Sequence, residues 1–382
     1  MTNFVIEELR QNHTPFYYYD LNLLRSTLKA IKQSVQNRQY KVHYAVKANS
    51  NPIILKEISA AGFGADCVSG GEISAALYAG FPADGIVYAG VGKIDEEIEL
   101  GLNKNIGCFN VESVEELEII NQIAISCGKV ANVALRVNPD IDAHTHEYIT
   151  TGLAENKFGI ALESLDHVIE TAIALENVAL TGLHFHIGSQ ITILEPFKLL
   201  CEKINALTQK YSSKGIFFKI INVGGGLGID YDDPDKNPIP DFKSYFEVFA
   251  NNLTLSPEQE LHFELGRSVV AQCGSLITKV LYVKKGLTKQ FAIVDAGFTD
   301  LIRPAFYGAH HVIQNITSDG PIETYDVVGP ICESSDCFGK NEKLPSTRRG
   351  DILALRSAGA YGEVMASQYN CRRLPSVVFS AD

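Results

Sequence analysis

From about residue 40 to residue 265 the chain alternates short apolar runs with longer segments in which apolar residues recur every three or four positions. The runs predict strands over His43–Ala48, Ala65–Ser69, Ile86–Ala89, Ile106–Val111, Val133–Asn138, Leu180–Ile187, Lys219–Val223 and Leu261–Glu264. The segments between them predict helices over Pro52–Ala61, Gly71–Ala79, Ile94–Leu102, Val114–Ser126, Leu162–Leu175, Phe197–Tyr211 and Phe242–Asn251. Eight strands separated by helices is the pattern of an α/β protein built as a (β/α)8 TIM barrel. An open, doubly wound sheet reads the same at this level. The polar residues favour the barrel, because they follow many strands: Lys47 and Asn49, Ser69 and Glu72, Asn110 and Glu112, Asn138, His186 and Ser189, Gly224–Gly226, and Glu264 with Arg267. An open sheet gathers its ligand groups at one switch point instead.

Beyond residue 266 the helical period fades. Strand-like runs appear over Ser275–Lys284, Phe291–Asp295, Tyr325–Val328, Asp351–Leu355 and Ser376–Phe379, punctuated by Gly, Pro and Asp. We expect a barrel domain over 21–266 and a β-rich C-terminal domain over 267–382. Residues 1–20 would add a strand to the latter through the aromatic run Phe16–Tyr19. Residues 231–241 read as a polar, proline-rich loop.

Charge narrows the function classes. The net charge of −12 argues against a nucleic-acid or anionic-membrane partner, since both need basic patches. No apolar run is long enough to span a bilayer, and MTNFVIEELRQNH, with early acidic residues, does not read as a signal peptide. Eight cysteines are scattered without a CxxC pair, which reads as reduced thiols of a cytoplasmic protein.

Several segments carry chemistry. Lys47, in His43-Tyr44-Ala45-Val46-Lys47-Ala48-Asn49, closes the first barrel strand, where a lysine of lowered pKa can form a Schiff base with a carbonyl. A lysine merely snorkelling at the rim is the ordinary alternative. Gly224-Gly225-Gly226 follows the seventh strand, where barrels often cradle a phosphate on backbone N–H groups. It matches neither a dinucleotide fingerprint nor a P-loop. His184 and His186 share one face of the sixth strand. A metal site there lacks a third ligand unless His144 or His146 supplies one, so we expect no metal. His186 is better suited to stacking on an aromatic cofactor, and His184 to a hydrogen-bonded core position. Glu264 could hold a pyridinium nitrogen protonated, and Arg267 could bind an anion through paired N–H groups. A mutual Glu264–Arg267 ion pair is the plainer reading. His310 and His311 receive no role.

Taken in order, these motifs, with Cys332-Glu333-Ser334-Ser335-Asp336 and Gly359-Ala360-Tyr361-Gly362, resemble the diaminopimelate decarboxylases, pyridoxal-phosphate enzymes of fold type III with an alanine-racemase-like architecture. The resemblance covers nearly the whole chain. It implies pyridoxal 5'-phosphate as cofactor, a homodimer with active sites shared across its interface, and decarboxylation of meso-2,6-diaminopimelate to L-lysine, the last step of lysine biosynthesis. Lys47 would anchor the cofactor, and His186 would stack on its ring. Ser189, Gly224, Gly225, Gly226, Gly266 and Arg267 would line its phosphate side, Glu264 would meet the ring nitrogen, and Tyr361 would contact cofactor and substrate. Cys332 would be the proton donor, reaching in from the second subunit with Glu333. Arg267, Arg303 and Tyr307 would bind the distal carboxylate of the substrate, with Glu333 taking its ammonium. Leu265 departs from the proline usual in the family. Two alternatives remain: a same-fold decarboxylase of another substrate, such as carboxynorspermidine or a basic amino acid, and a non-catalytic pyridoxal-phosphate-binding regulator.

Overall fold

The computed structural model describes residues 6–141 and 157–380. Eight parallel strands close into a barrel in sequence order: β1 (Tyr40–Ala45), β2 (Gly64–Cys67), β3 (Ile86–Tyr88), β4 (Cys108–Val111), β5 (Ala131–Arg136), β6 (Val178–His184), β7 (Ile220–Asn222) and β8 (Glu260–Leu265). The barrel shuts through β1 and β8, with Tyr44 registered opposite Leu265. This is the expected (β/α)8 arrangement. Leu265 lies in this pairing and is buried.

The strand ends are fixed by local chemistry. Ser69 accepts from Glu72 N–H at 3.2 Å while the Glu72 carboxylate accepts from Val68 N–H at 2.8 Å. Ser113 and Glu116 repeat the device, with Glu116 accepting from Glu112 N–H at 2.8 Å. Each serine caps the helix that follows, Gly70–Tyr78 and Val114–Cys127, and each glutamate ties the strand end to it. Ser69 and Glu72, read above among polar strand-end residues, therefore serve as a cap. Helix Leu21–Val35 was not expected.

The chain divides into two units. One is the barrel, Leu28–Gly228 and Asp241–Gly266. The other gathers the described residues up to Thr27, the excursion Ile229–Pro240, and the residues from Arg267 on. Its sheet runs Ile313–Asn315, Ile352–Leu355, Gly274–Lys285, Gln290–Val294, Ile322–Val328, Cys337–Pro345. Strand Phe16–Tyr19 pairs antiparallel with Gly274–Ile277 and parallel with Ser376–Phe379. All four of its residues are buried, which accounts for its unbroken aromatic run. Among the described residues no helix is long and apolar enough to cross a membrane.

Candidate functional site

A carboxylate at the end of β8 organises the barrel interior. Glu264 Oε1 accepts from Asn222 Nδ2 at 2.7 Å and from Asn110 Nδ2 at 3.0 Å. Its Oε2 lies 3.0 Å from His184 Nε2. All four side chains are buried, and they come from β4, β6, β7 and β8. The Asn222 amide is oriented by its own oxygen, which accepts from Gly224 N–H at 2.9 Å. Burial acts to raise the pKa of Glu264, but the charge and hydrogen bond of His184, with the charge of Lys47, hold it far below the usual carboxylate range. The site thus keeps a fixed negative charge in an enclosed setting.

Lys47 is not within β1, as the sequence suggested. The strand ends at Ala45 and the chain tightens into a 3-10 turn over Val46–Ala48. This leaves the side chain 44% exposed, with Nζ 4.0 Å from Asp66 Oδ2 on β2. Asp66 is buried, and its Oδ1 has no hydrogen-bond partner among the described residues. Burial and the nearby Glu264 push the pKa of Asp66 well up, against the pull of Lys47.

His186 follows β6, and its Nδ1 accepts from Gly225 N–H at 3.3 Å. Burial, Arg136 and Lys47 drive its pKa well below the ordinary value, so the ring is a neutral imidazole. Arg136 is itself buried and paired to Glu112 at 2.6 Å. The glycine run leaves no room for side chains. A Cβ at Gly225 would press on the Glu264 carbonyl, and one at Gly224, where φ is +68°, on the Phe185 carbonyl and the His186 ring. Ser189 is half-buried in the loop after β6, and Gly266 is buried just past β8. The structure therefore gathers Lys47, His186, the three glycines and Glu264 in one barrel.

The second unit holds the remaining expected residues. Arg267 and Arg303 are both buried, and each donates an Nη1–H to the phenol oxygen of Tyr231, at 2.8 and 2.9 Å. The Arg267 guanidinium lies 5.0 Å from the Tyr361 ring centroid. Tyr361 has φ +57°, a left-handed conformation that a non-glycine residue holds only when its surroundings impose it. Tyr307 is half-buried at the end of helix Arg303–Tyr307. Cys332 and Glu333 are exposed, and Glu333 accepts from the Tyr369 hydroxyl at 2.7 Å. Their turn is rigid: Asp336 accepts from Ile331 N–H and Phe298 N–H, both at 2.7 Å.

Asn222 and Tyr231 escaped the sequence reading, and Asn110 and His184 were read without their task. Asn110, Asn222 and His184 hold Glu264, and Tyr231 bridges the two arginines. His184 is the hydrogen-bonded core histidine expected, but its partner is the site carboxylate. The polar strand-end position of Asn110 was the one signal available for that residue. His311, given no role, is fully buried with Nε2 accepting from Arg303 at 3.0 Å. His310 is exposed, and His144 and His146 lie outside the described residues. Among the described residues no three His, Cys, Asp or Glu side chains gather as a metal site.

Comparison with known proteins gives concordant matches. The model of the pyridoxal-dependent decarboxylase family, pyridoxal binding domain, matches residues 21–271. A diaminopimelate decarboxylase of Bacteroides thetaiotaomicron is 62% identical over 373 residues, covering 97% of each chain. One from Aquifex aeolicus is 42% identical, over 96% of this chain and 87% of its own. The crystal structure of the Helicobacter pylori diaminopimelate decarboxylase complexed with L-lysine superposes with a TM-score of 0.93 at 42% identity, covering 98% of this chain and 94% of that one.

Proposed function

This chain belongs to the pyridoxal-dependent decarboxylases, and from that premise we propose that Lys47, His186, Glu264 and the Gly224–Gly226 run form its pyridoxal-phosphate site. The reaction is the decarboxylation of meso-2,6-diaminopimelate to L-lysine and CO2.

The side chains present suit the cofactor. The glycine run leaves no space for a Cβ, so its backbone can approach an anion closely, while Gly224 N–H is committed to Asn222 and Gly225 N–H to His186. The ionised Glu264 matches a protonated ring nitrogen, and the neutral His186 imidazole suits the face of an aromatic ring. Bound there, pyridoxal phosphate supplies a sink for the electron pair left when the substrate loses CO2.

This chain's residues then have separable tasks. Glu264, pinned by Asn110, Asn222 and His184, keeps the ring nitrogen protonated without moving, so no reorganisation is needed as charge develops. Lys47 Nζ, with Asp66 4.0 Å away, would hold the cofactor through its carbonyl carbon. Cys332 delivers a proton to the carbon that has lost CO2. Arg267, Arg303 and Tyr307 bind the distal carboxylate, Glu333 the distal ammonium, and Tyr361 the cofactor and substrate; Ser189 and Gly266 complete the phosphate side. Cys332 and Glu333 serve the site of a second subunit in a homodimer, a reading supported by their exposure on a rigid turn. We place the protein in the cytoplasm, which eight unpaired cysteines support.

The observation that carries the reading is the buried Glu264 carboxylate, held by Asn110, Asn222 and His184 in the same barrel as Lys47. The test is conversion of meso-diaminopimelate to L-lysine and CO2 by purified protein supplied with pyridoxal phosphate, and its loss in Lys47→Ala. A yellow cofactor band without lysine would retain the cofactor and overturn the substrate.

A further inference from the structure

Tyr231 belongs to the proline-rich excursion Ile229–Pro240, to which the proposed chemistry gives no task. The excursion is a built structure. Asp230 Oδ1 accepts from Asp232 N–H and Asp233 N–H, both at 2.9 Å, and its Oδ2 accepts from Asn237 Nδ2 at 2.8 Å. Asp235 pairs with the buried Arg356 at 3.1 Å and accepts from Gln314 at 3.3 Å. Tyr231 is therefore held from both sides in sequence, and its ring meets the His311 ring edge-on at 5.3 Å.

Its phenol oxygen receives one N–H from Arg267 and one from Arg303, at 2.8 and 2.9 Å. A phenol oxygen has two lone pairs, and both are used. Arg303 is fixed further by donating to His311 Nε2 at 3.0 Å, while His311 Nδ1–H donates to the Arg356 carbonyl at 2.8 Å. Two buried guanidinium groups are thus brought to one atom. That atom belongs to a phenol and not to a carboxylate, so the contact sets their spacing without cancelling their charge. A carboxylate has two oxygens and accepts paired N–H donors, the ligand this spacing fits.

We propose that Tyr231 is a specificity-determining positioning residue, holding Arg267 and Arg303 side by side as a two-arginine receptor for the distal carboxylate of the substrate. The proposal rests on the reading of diaminopimelate as substrate. It assigns discrimination between diaminopimelate and lysine or ornithine, which lack that carboxylate, to an oxygen on the excursion as well as to the two cations. The two neighbouring guanidinium charges also draw the phenol's pKa down despite its burial.

The test is Tyr231→Phe, which removes one oxygen and keeps the ring against His311. KM for meso-diaminopimelate should rise at least tenfold with kcat within about threefold of the parent. Any residual turnover of lysine should be unchanged, and so should retention of pyridoxal phosphate. A merely structural role would lower kcat and cofactor retention together, and that outcome, or an unchanged KM, overturns the proposal. A second reading does not depend on the substrate. In the ultraviolet difference titration of parent against Tyr231→Phe, one phenol should ionise below the ordinary range near 10. It should move upward in Arg303→Gln. Absence of that phenol overturns the proposal even if diaminopimelate proves not to be the substrate, whereas its presence with no lysine formed overturns the substrate alone.

Discussion

His184 Nε2 lies 3.0 Å from Glu264 Oε2, and both side chains are buried, so the carboxylate charge is stabilised inside the protein before any ligand arrives. Glu264→Gln keeps the shape and leaves an oxygen for Asn110 and Asn222, but it removes the charge that holds a ring proton. We expect turnover to fall by about 10²–10³-fold, the usual cost of losing one preorganised electrostatic group. Pyridoxal phosphate should remain bound. Steady-state rates together with the cofactor absorbance test this. Turnover within threefold of the parent would remove Glu264 from its assigned task.

Gly225→Ala should separate the phosphate cradle from the rest of the site. The added methyl meets the backbone carbonyl of Glu264, which cannot swing aside as a flexible side chain would. Overpacking of this kind costs about 1–3 kcal/mol of stability. The strain also falls on the residue that bears the carboxylate. Equilibrium dialysis should show pyridoxal phosphate binding weakened by at least tenfold, with urea midpoints only modestly lower. Unchanged cofactor affinity would mean that the glycine run is a turn and nothing more.

His311 makes a definite prediction about acid. Its Nδ1–H donates to a carbonyl and its Nε2 accepts from Arg303, so both nitrogens are committed to the neutral ring. Burial, reinforced by the Arg303 charge, draws its pKa down to about 3. The unfolded chain, with a histidine near 6.5, binds the proton more readily over the interval between. Stability from this residue is therefore full above about pH 6.5 and falls as pH drops toward 3, by about 1.4 kcal/mol per pH unit. Gln can reproduce both hydrogen bonds and does not titrate. Urea unfolding of parent and His311→Gln at pH 7, 6 and 5 should give a shallower decline in the variant. Parallel declines would show that His311 is not held neutral.

The barrel was legible because each strand is a short apolar run closed by a polar residue or glycine, and the helices between carry their own period. Boundaries slipped where an apolar run outlasts its strand: His43–Ala48 reads as one strand, yet the chain turns at Val46. Helix Leu21–Val35 repeats Leu21, Leu24, Leu28 and Ile31 at helical spacing, so its signal was present and unread. Strand Cys337–Pro345 is a different case. It is an edge strand with Lys340, Glu342 and Lys343 along it, and such charge is how edges avoid further pairing. Within the site, residues carrying their own chemistry stood out, as with Lys47 and Glu264. Asn110, His184 and Asn222 act only through Glu264, and they meet it because the barrel brings β4, β6, β7 and β8 to one interior. Tyr231 acts only through two arginines that lie 36 and 72 positions away. No local pattern encodes such relations.

Cys332 tests the sharing of sites between subunits. It is exposed on a turn fixed by Asp336, the placement expected of a group that works outside its own subunit. Cys332→Ala should leave the cofactor absorbance intact and slow turnover by about 10²–10⁴-fold, the range for losing a positioned proton donor. Lys47→Ala should be inactive for a separate reason. If Lys47 of one subunit and Cys332 of the other meet in one site, mixing the two variants produces heterodimers with one site intact and one doubly impaired. Random exchange gives about half heterodimers, so recovered activity should approach about one quarter of the parent. Native mass spectrometry confirms that exchange has occurred. Heterodimers that form without any recovery would place both residues in the same subunit's site, and the exposed turn would need another explanation.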